Sequence, residues 1–316
     1  MRILITGIHG FVGSNLVGSL APQNEIYGLD IVAPDKAGVI KTFFWDELNS
    51  GRVPDVDAII HLAGIAHDVK TGGKGREEEY MRINCGLTRQ VFDYFLKSKA
   101  RKFIFFSSIK AAADKVEGEF VDEQVEPKPV GPYGESKIAA ERYLLSKMED
   151  ARSKNKDVYI LRPCMIHGPG NKGNLNLLYG VAKKGMPWPL GAFENKRTFT
   201  SIDNVKFIIN WLLANDIESG IYNINDDEAV STNELIEIIC DVIGKKAHIW
   251  RIPRKLMEGC SKVGDVLHLP LNSERLRKLT ENYVSSNKKI KNALGVTQLP
   301  VRAKDGLHKT IKSFKG

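Results

Sequence analysis

Hydrophobic positions along the chain fall into two alternating rhythms. Compact apolar runs at residues 2–5, 25–30, 42–46, 57–64, 102–108 and 158–163 predict strands. Between them, apolar residues recur every three or four positions. Phe11, Val12, Leu16, Val17 and Leu20 mark a first helix, and Met81, Ile83, Leu87, Val91, Phe92 and Phe95 mark a second over 80–97. Residues 133–148 predict a third. Strands that alternate with helices predict a parallel sheet with right-handed crossovers, an α/β doubly wound fold. The stretch 69–79, polar and rich in glycine and charge, predicts a surface loop. Past residue 163 the alternation breaks up into glycine- and proline-rich loops at 167–173 and 185–191. A helix ending at 214, a strand at 221–224 and a helix over 231–243 follow. Ser231 or Thr232 ahead of Glu234 predicts the cap of that last helix.

Composition narrows the class. A chain of 316 residues, 42% hydrophobic and 27% charged, is globular and exceeds the usual single core, so two domains or one domain with a lobe are expected. No apolar run approaches the ~18–20 residues of a membrane span, and the first residues are too short for a secretory signal. A cytoplasmic protein with no membrane partner is the expectation. Cys85, Cys164, Cys240 and Cys260 are scattered, without C-x-x-C or metal-ligand spacing, and predict buried reduced thiols and no bound metal. The net charge of +8 is uneven. Residues 245–316 hold 17 Lys and Arg against 5 Asp and Glu, net +12, which leaves −4 for the first 244. A basic carboxyl-terminal part suits a diphosphate. It lacks the interleaved aromatics of a base-stacking platform, so nucleic acid is not expected.

The candidate chemistry begins at Gly7, Gly10 and Gly13, spaced G-x-x-G-x-x-G between the first strand and the first helix. A strand, a tight glycine turn and a helix opening with free N–H groups form an anion site suited to a pyrophosphate. Gly7 allows the turn, Gly10 lets backbone approach phosphate, and Gly13 lets helix pack on strand. Asp30 ends the second strand near the ~20-residue offset at which a carboxylate takes adenosine ribose hydroxyls. It would repel a 2′-phosphate, which favours NAD over NADP. Ala63 and Gly64 end the fourth strand and permit close approach, whereas His61, inside that strand, reads as a satisfied buried histidine. Tyr133 and Lys137 lie four residues apart, on one helix face. A close lysine favours the phenolate and brings the tyrosine into range as a general acid/base. Ser108, ending the fifth strand, supplies a hydroxyl to hold a substrate oxygen. Thr6, Asp30, Ala63 and Ser108 all fall at carboxyl strand ends, where such sheets bind ligands.

In chain order, T-G-I-H-G-F-V-G at 6–13, H-L-A-G at 61–64, F-S-S at 106–108 and Y-G-E-S-K at 133–137 form one series. L-R-P and H-G-P-G between 161 and 170 and R-T-F-T-S-I-D-N at 197–204 extend it. With these motifs the sequence resembles the extended short-chain dehydrogenase/reductases, specifically the NAD-dependent epimerase/dehydratase family acting on nucleotide sugars. The resemblance runs almost end to end. It implies a Rossmann domain over 1–165, with 198–222 returning to it, and a smaller α/β nucleotide-sugar lobe from 166–197 and 223–316. It also implies catalytic roles for Ser108, Tyr133 and Lys137. The implied NAD site is lined by Gly7, Gly10, Phe11, Gly13, Asp30, Asp46, Leu62, Ala63, Gly64, Asn84, Tyr133 and Lys137. On the substrate side, Ser108 would hold the sugar, while Asn174, Leu175 and Arg197 match residues that contact the diphosphate in relatives. A second arginine is implied in the basic tail, at Arg275 or the nearby Arg277.

Departures from the family pattern shape the expected reaction. Met165 and His167 stand where relatives often have asparagine and tyrosine, which implies an altered sugar-facing pocket. Ile109 and Lys110 occupy the positions of the acid pair with which dehydratases expel water, so dehydration is not expected. The expected activity is an NAD-dependent 4-epimerase of a UDP-hexose or UDP-N-acetylhexosamine, working through a transient 4-keto sugar. The alternatives are an NAD(P)H-dependent reductase of nucleotide 4-keto-6-deoxysugars and a non-catalytic dinucleotide sensor. Asp30 weighs against an NADPH-dependent reductase, and the intact Ser108, Tyr133 and Lys137 weigh against a sensor. By the same resemblance, a role in polysaccharide biosynthesis is expected, along with a homodimer built from the helices at 80–97 and 133–148.

Overall fold

The computed structural model describes residues 1–66, 75–171, 173–267 and 271–315. Its strands are β1 (Arg2–Thr6), β2 (Glu25–Leu29), β3 (Lys41–Phe43), β4 (Ala58–His61), β5 (Lys102–Phe106), β6 (Asp157–Pro163), β7 (Met165–His167), β8 (Phe199–Ser201) and β9 (Gly220–Ile224). The helices of the first half are α1 (Phe11–Leu20), α2 (Gly75–Tyr80), α3 (Thr88–Lys97), α4 (Pro132–Ser146) and α5 (Met148–Ser153). The second half carries α6 (Asn174–Lys183), α7 (Ile202–Ala214), α8 (Thr232–Ile243), α9 (Arg254–Leu267), α10 (Ser273–Thr280), α11 (Lys288–Leu294) and α12 (Ala303–Lys312).

Seven strands form one parallel sheet in the order β3-β2-β1-β4-β5-β6-β9, the predicted doubly wound arrangement. The strands are buried on both faces, which is why they read as unbroken apolar runs. Successive residues feed opposite cores. Ile3, Ile5, Ile60 and Ile104 pack with α1 and α7, whereas Leu4, Ile59, Phe103 and Phe105 pack with α3 and α4. The chain reverses direction across the sheet between β1 and β4, a switch point where the adjoining loops part and leave a crevice. In register, Thr6 of β1 faces His61 of β4, and His61 faces Phe105 of β5. The strand ends that carry candidate residues are therefore level.

Several local expectations are corrected. The predicted loop 69–79 lies partly outside the described residues, but Gly75 to Tyr80 is helical, with Glu77 and Glu78 in the favoured first turn. The helix expected over 80–97 passes through a π-helical turn at Met81–Leu87 before α3 begins. The third strand is shorter than expected, and Trp45–Glu47 forms a 3-10 turn instead. Ser231 is the cap of α8, in a capping box with Glu234. Cys85, Cys164 and Cys240 are buried as expected, but Cys260 is exposed on α9.

Beyond the sheet, β7 and β8 pair with each other. A third core, built on Leu175, Tyr179, Trp188, Ile236, Ile239, Leu276, Leu307 and their neighbours, draws in α6, α8, α10 and α12. The α9–α12 region had no sequence-based assignment. α10 and α11 are short, and the Asn272 side chain caps α10 by accepting from the Arg275 amide.

Candidate active site

The glycine turn is built from backbone contact. Gly7 has a φ of +68°, and a Cβ there would lie 2.9 Å from the Ala63 nitrogen. A Cβ on Gly13 would lie 2.6 Å from the Gly7 carbonyl oxygen, so only glycine lets α1 start this close to β1. Gly10 is the N-cap of α1 and offers no capping side chain, which leaves first-turn amides for an anion. Phe11 opens the helix. Asp30 stands just past β2, nearly buried. Its Oδ2 accepts from the His9 amide at 3.0 Å and its Oδ1 from the Ile31 amide at 2.7 Å. These two bonds aim the carboxylate at the same turn. Asp46 lies in the exposed 3-10 turn beyond β3. The turn and the carboxylate together fit a dinucleotide: backbone room and free amides for the phosphates, an oriented acid for ribose.

Across the switch point, the end of β4 is tied to β1. The Leu62 amide donates to the Thr6 carbonyl at 3.2 Å and the Ala63 amide to the Thr6 hydroxyl at 3.1 Å. His61 is fully buried between the Thr6 and Thr88 hydroxyls, at 2.6 and 2.9 Å. Burial, aided by the Lys137 charge, pushes its pKa down to about 3, so it is neutral, the satisfied histidine expected from its setting.

Asn84 lies within the π-helical turn. It is fully buried, accepts from the Ile65 amide at 2.8 Å, and donates to the Ile65 carbonyl and the Ser136 hydroxyl, both at 3.0 Å. An added Cβ on Gly64 would meet Asn84 Oδ1 at 2.8 Å and Lys137 Nζ at 3.3 Å. Gly64, Asn84 and Lys137 thus share one small space.

Pro132 and Tyr133 open α4 against the 3-10 turn at Ile109–Ala111. Gly134 makes this packing possible, because a Cβ there would sit 2.7 Å from the Lys110 carbonyl oxygen. Ser108 caps that 3-10 turn by accepting from the Lys110 amide, and its hydroxyl lies close to the Tyr133 phenol. Tyr133 also packs edge-on against Tyr80, with ring centroids 6.2 Å apart. Burial raises the Tyr133 pKa, and the nearby Ser108 hydroxyl works the other way. The expectation that Lys137 lowers the phenol needs correction here. The Lys137 ammonium donates to the Phe106 carbonyl at 2.9 Å. Its own pKa falls to about 8 through burial, opposed by the charge of Glu141.

Glu141 was not singled out from sequence. It is fully buried one turn beyond Lys137 and accepts from Arg162 Nε at 2.9 Å and Nη2 at 2.6 Å. It also accepts from the Ser107 hydroxyl. The Ser107–Glu141–Arg162 network therefore pins the end of β5 to the helix carrying Tyr133 and Lys137. Arg162 Nη1 has no partner among the described residues. The signal was present as a glutamate four residues after Lys137 and an arginine in an apolar strand, but sequence alone does not pair them.

The substrate-side candidates divide. Leu175 is 1% exposed and packs in the third core, so its side chain is not presented to a ligand. The Asn174 side chain lies outside the described residues. Arg197 pairs in backbone with Val230 and Tyr283, and its guanidinium donates to the Lys278 carbonyl. Arg275 is exposed on α10. Arg277, on the same helix, turns towards the β5 end and meets Asp114 at 3.4 Å and Glu281 at 3.0 Å. Lys110 also bonds Asp114 at 3.0 Å and lies over the Tyr283 ring, so no carboxylate occupies positions 109 and 110. His167 does not face a sugar pocket. It is fully buried between Thr310 of α12, at 2.9 Å, and Asp226, at 3.4 Å.

Comparison with known proteins agrees with this geometry. Over 264 residues the chain is 29% identical to UDP-glucose 4-epimerase of Vibrio cholerae, covering 79% of this chain and 78% of the other. Over 265 residues it is 28% identical to N-acetyl-alpha-D-glucosaminyl-diphospho-ditrans,octacis-undecaprenol 4-epimerase of Escherichia coli O157:H7, covering 81% and 76%. The crystal structure of UDP-glucuronic acid 4-epimerase from Bacillus cereus in complex with NAD superposes with a TM-score of 0.75. It is 22% identical and covers 100% of this chain and 99% of the other. The sequence model of the NAD dependent epimerase/dehydratase family matches residues 3–225, and the chain belongs to that family.

Proposed function

We propose that this chain is an NAD-dependent 4-epimerase of a sugar carried on a diphosphate, a UDP-hexose or UDP-N-acetylhexosamine. The observation that supports it most is the meeting of Ser108, Tyr133 and Lys137 beside Gly64, one strand from the glycine turn. The relatives named 4-epimerases point the same way. When bound, NAD supplies a hydride acceptor and donor for C4 and a positive charge near the phenol. Tyr133 takes the C4 hydroxyl proton as the 4-keto sugar forms, and returns it when the opposite face is reduced. Ser108 holds the C4 oxygen throughout. Lys137 keeps a positive charge one helical turn from the phenol. Arg197, with Arg275 or Arg277, grips the diphosphate, so remote binding energy retains the keto sugar while it turns over.

On this reading, residues 1–165 with 198–222 hold the dinucleotide, and 166–197 with 223–316 hold the nucleotide sugar. The chain works as a cytoplasmic homodimer through α3 and α4. The first experiment is to denature freshly purified protein and weigh any released dinucleotide. Stoichiometric NAD or NADH supports a cofactor retained between turnovers. An empty protein that takes up NADPH more tightly than NADH overturns the reading in favour of a 4-keto-sugar reductase.

A further inference from the structure

On the reading above, the diphosphate is anchored at Arg197 and the sugar reacts beside Ser108, far earlier in the chain. The spacing between these two points has to suit the substrate closely, because a small misplacement at the reacting atom costs much rate. Tyr283 touches the segments that carry both. Its amide donates to the Lys196 carbonyl at 2.8 Å, and its carbonyl accepts from the Thr198 amide at 3.0 Å. These two bonds bracket Arg197, which stands opposite Tyr283 in register. On its other edge the same segment takes Val121. The Val121 amide donates to the Val284 carbonyl, and the Val121 carbonyl accepts from the Ser286 amide, both at 2.9 Å.

The Tyr283 side chain meets the turn that follows β5. It is buried, and its hydroxyl donates to the Ala113 carbonyl at 2.6 Å. The Lys110 ammonium lies 4.4 Å from its ring centroid. Tyr283 therefore holds both ends of the stretch from Lys110 to Ala113. Ser108 caps that stretch: its hydroxyl accepts from the Lys110 amide at 3.2 Å and its carbonyl from the Ala111 amide at 2.9 Å. Gly134, the residue after Tyr133, packs on the Lys110 carbonyl. Ile109, Ala112, Ala113, Val121 and Cys164 close around Tyr283 in a small apolar core of their own. Burial raises the Tyr283 pKa, so its hydroxyl remains a donor. Asp114 and Arg277 add a second tie at 3.4 Å, but Arg277 is partly in water, where an ion pair contributes little.

We propose that Tyr283 is a positioning residue for Ser108, a strut that carries engagement of the diphosphate at Arg197 to the turn beside the reacting sugar. This role rests on the diphosphate being held at Arg197 and the sugar oxygen at Ser108. Tyr283 itself touches no reacting atom.

Tyr283→Phe keeps the ring and its contact with Lys110 and removes only the bond to Ala113. The test compares the full chain, carrying NAD, with this variant. Calorimetric titration with UDP is expected to give dissociation constants that agree within about twofold, since Arg197 is unchanged. Hydrogen exchange at the amides of residues 110–113 is expected to slow at least about threefold when UDP binds the parent, and not to slow in the variant. With a UDP-hexose, kcat is expected to fall about tenfold while KM holds within about twofold. In a Ser108→Ala background the same substitution should lower kcat less than about twofold, because the strut acts through that residue. A residue that merely stabilised the fold would lower turnover by the same factor in both backgrounds. The strut is overturned if UDP slows exchange equally in parent and variant, or if the two losses of kcat multiply. If UDP protects the turn in the parent alone and no UDP-hexose is epimerised, the proposed reaction falls and the strut stands. UDP that does not bind the parent overturns both.

Discussion

Lys137 and Lys255 show two ways in which this molecule places a cation. Lys137 sits out of water at the end of β5, bonded to the Phe106 carbonyl, with Glu141 one turn away. Lys255 stands in solvent on α9. Around the first, backbone atoms crowd Gly7, Gly13 and Gly134, and the Asn84 side chain crowds Gly64, so that a Cβ has no room, and buried polar side chains are held by two or more bonds. Around the second, short helices rest on a small core and display charge outward. A reacting centre needs groups held to a fraction of an ångström, and only strand ends and buried networks hold them that well. A surface proposed to grip a diphosphate needs charge and reach instead.

Removing the phenolic hydroxyl cuts the first region at its centre. Tyr133→Phe is expected to lower turnover ~10²–10⁴-fold while the purified protein still carries its dinucleotide. Full turnover in that variant would remove Tyr133 from the mechanism. Next in size is Glu141→Gln, which leaves the buried Arg162 without a counter-charge. A loss of about 3–5 kcal/mol is expected in urea melts, and an unchanged midpoint would mean the network is not structural.

The second region should respond more mildly. Arg197→Ala is expected to raise KM for the nucleotide sugar roughly 10–100-fold with kcat little changed, since a charged hydrogen bond contributes about 1.5–3 kcal/mol. Arg275→Ala, on an exposed side chain, should raise KM less. Equal effects would mean that α10 shifts when substrate binds. Within the first region, His61→Gln is read through its pH dependence. The folded pKa of His61 is lowered from 6.5 to about 3, so between those values the unfolded chain binds more protons. The stability present above pH 6.5 is therefore lost as pH falls towards 3. Thermal melts across that range should show a flatter acid limb in the variant.

The parallel sheet and the glycine turn were legible in the chain, and so were Asp30, Ser108, Tyr133 and Lys137 as candidate residues at or near strand ends. Each depends on a local period or a short spacing, and the strand pleat and the helix pitch write both directly into the order of residues. The pairing of Glu141 with Arg162, the anchoring of His167 by Thr310 and Asp226, and the turn of Arg277 towards Asp114 were not legible. Nor was the π-helical turn around Asn84. These join or separate residues that are mostly distant in sequence, and no local pattern records which distant partner arrives. Sequence therefore determined the elements and the candidate groups at their ends. Only packing decided which buried charges meet, because that depends on how elements far apart in the chain close against one another.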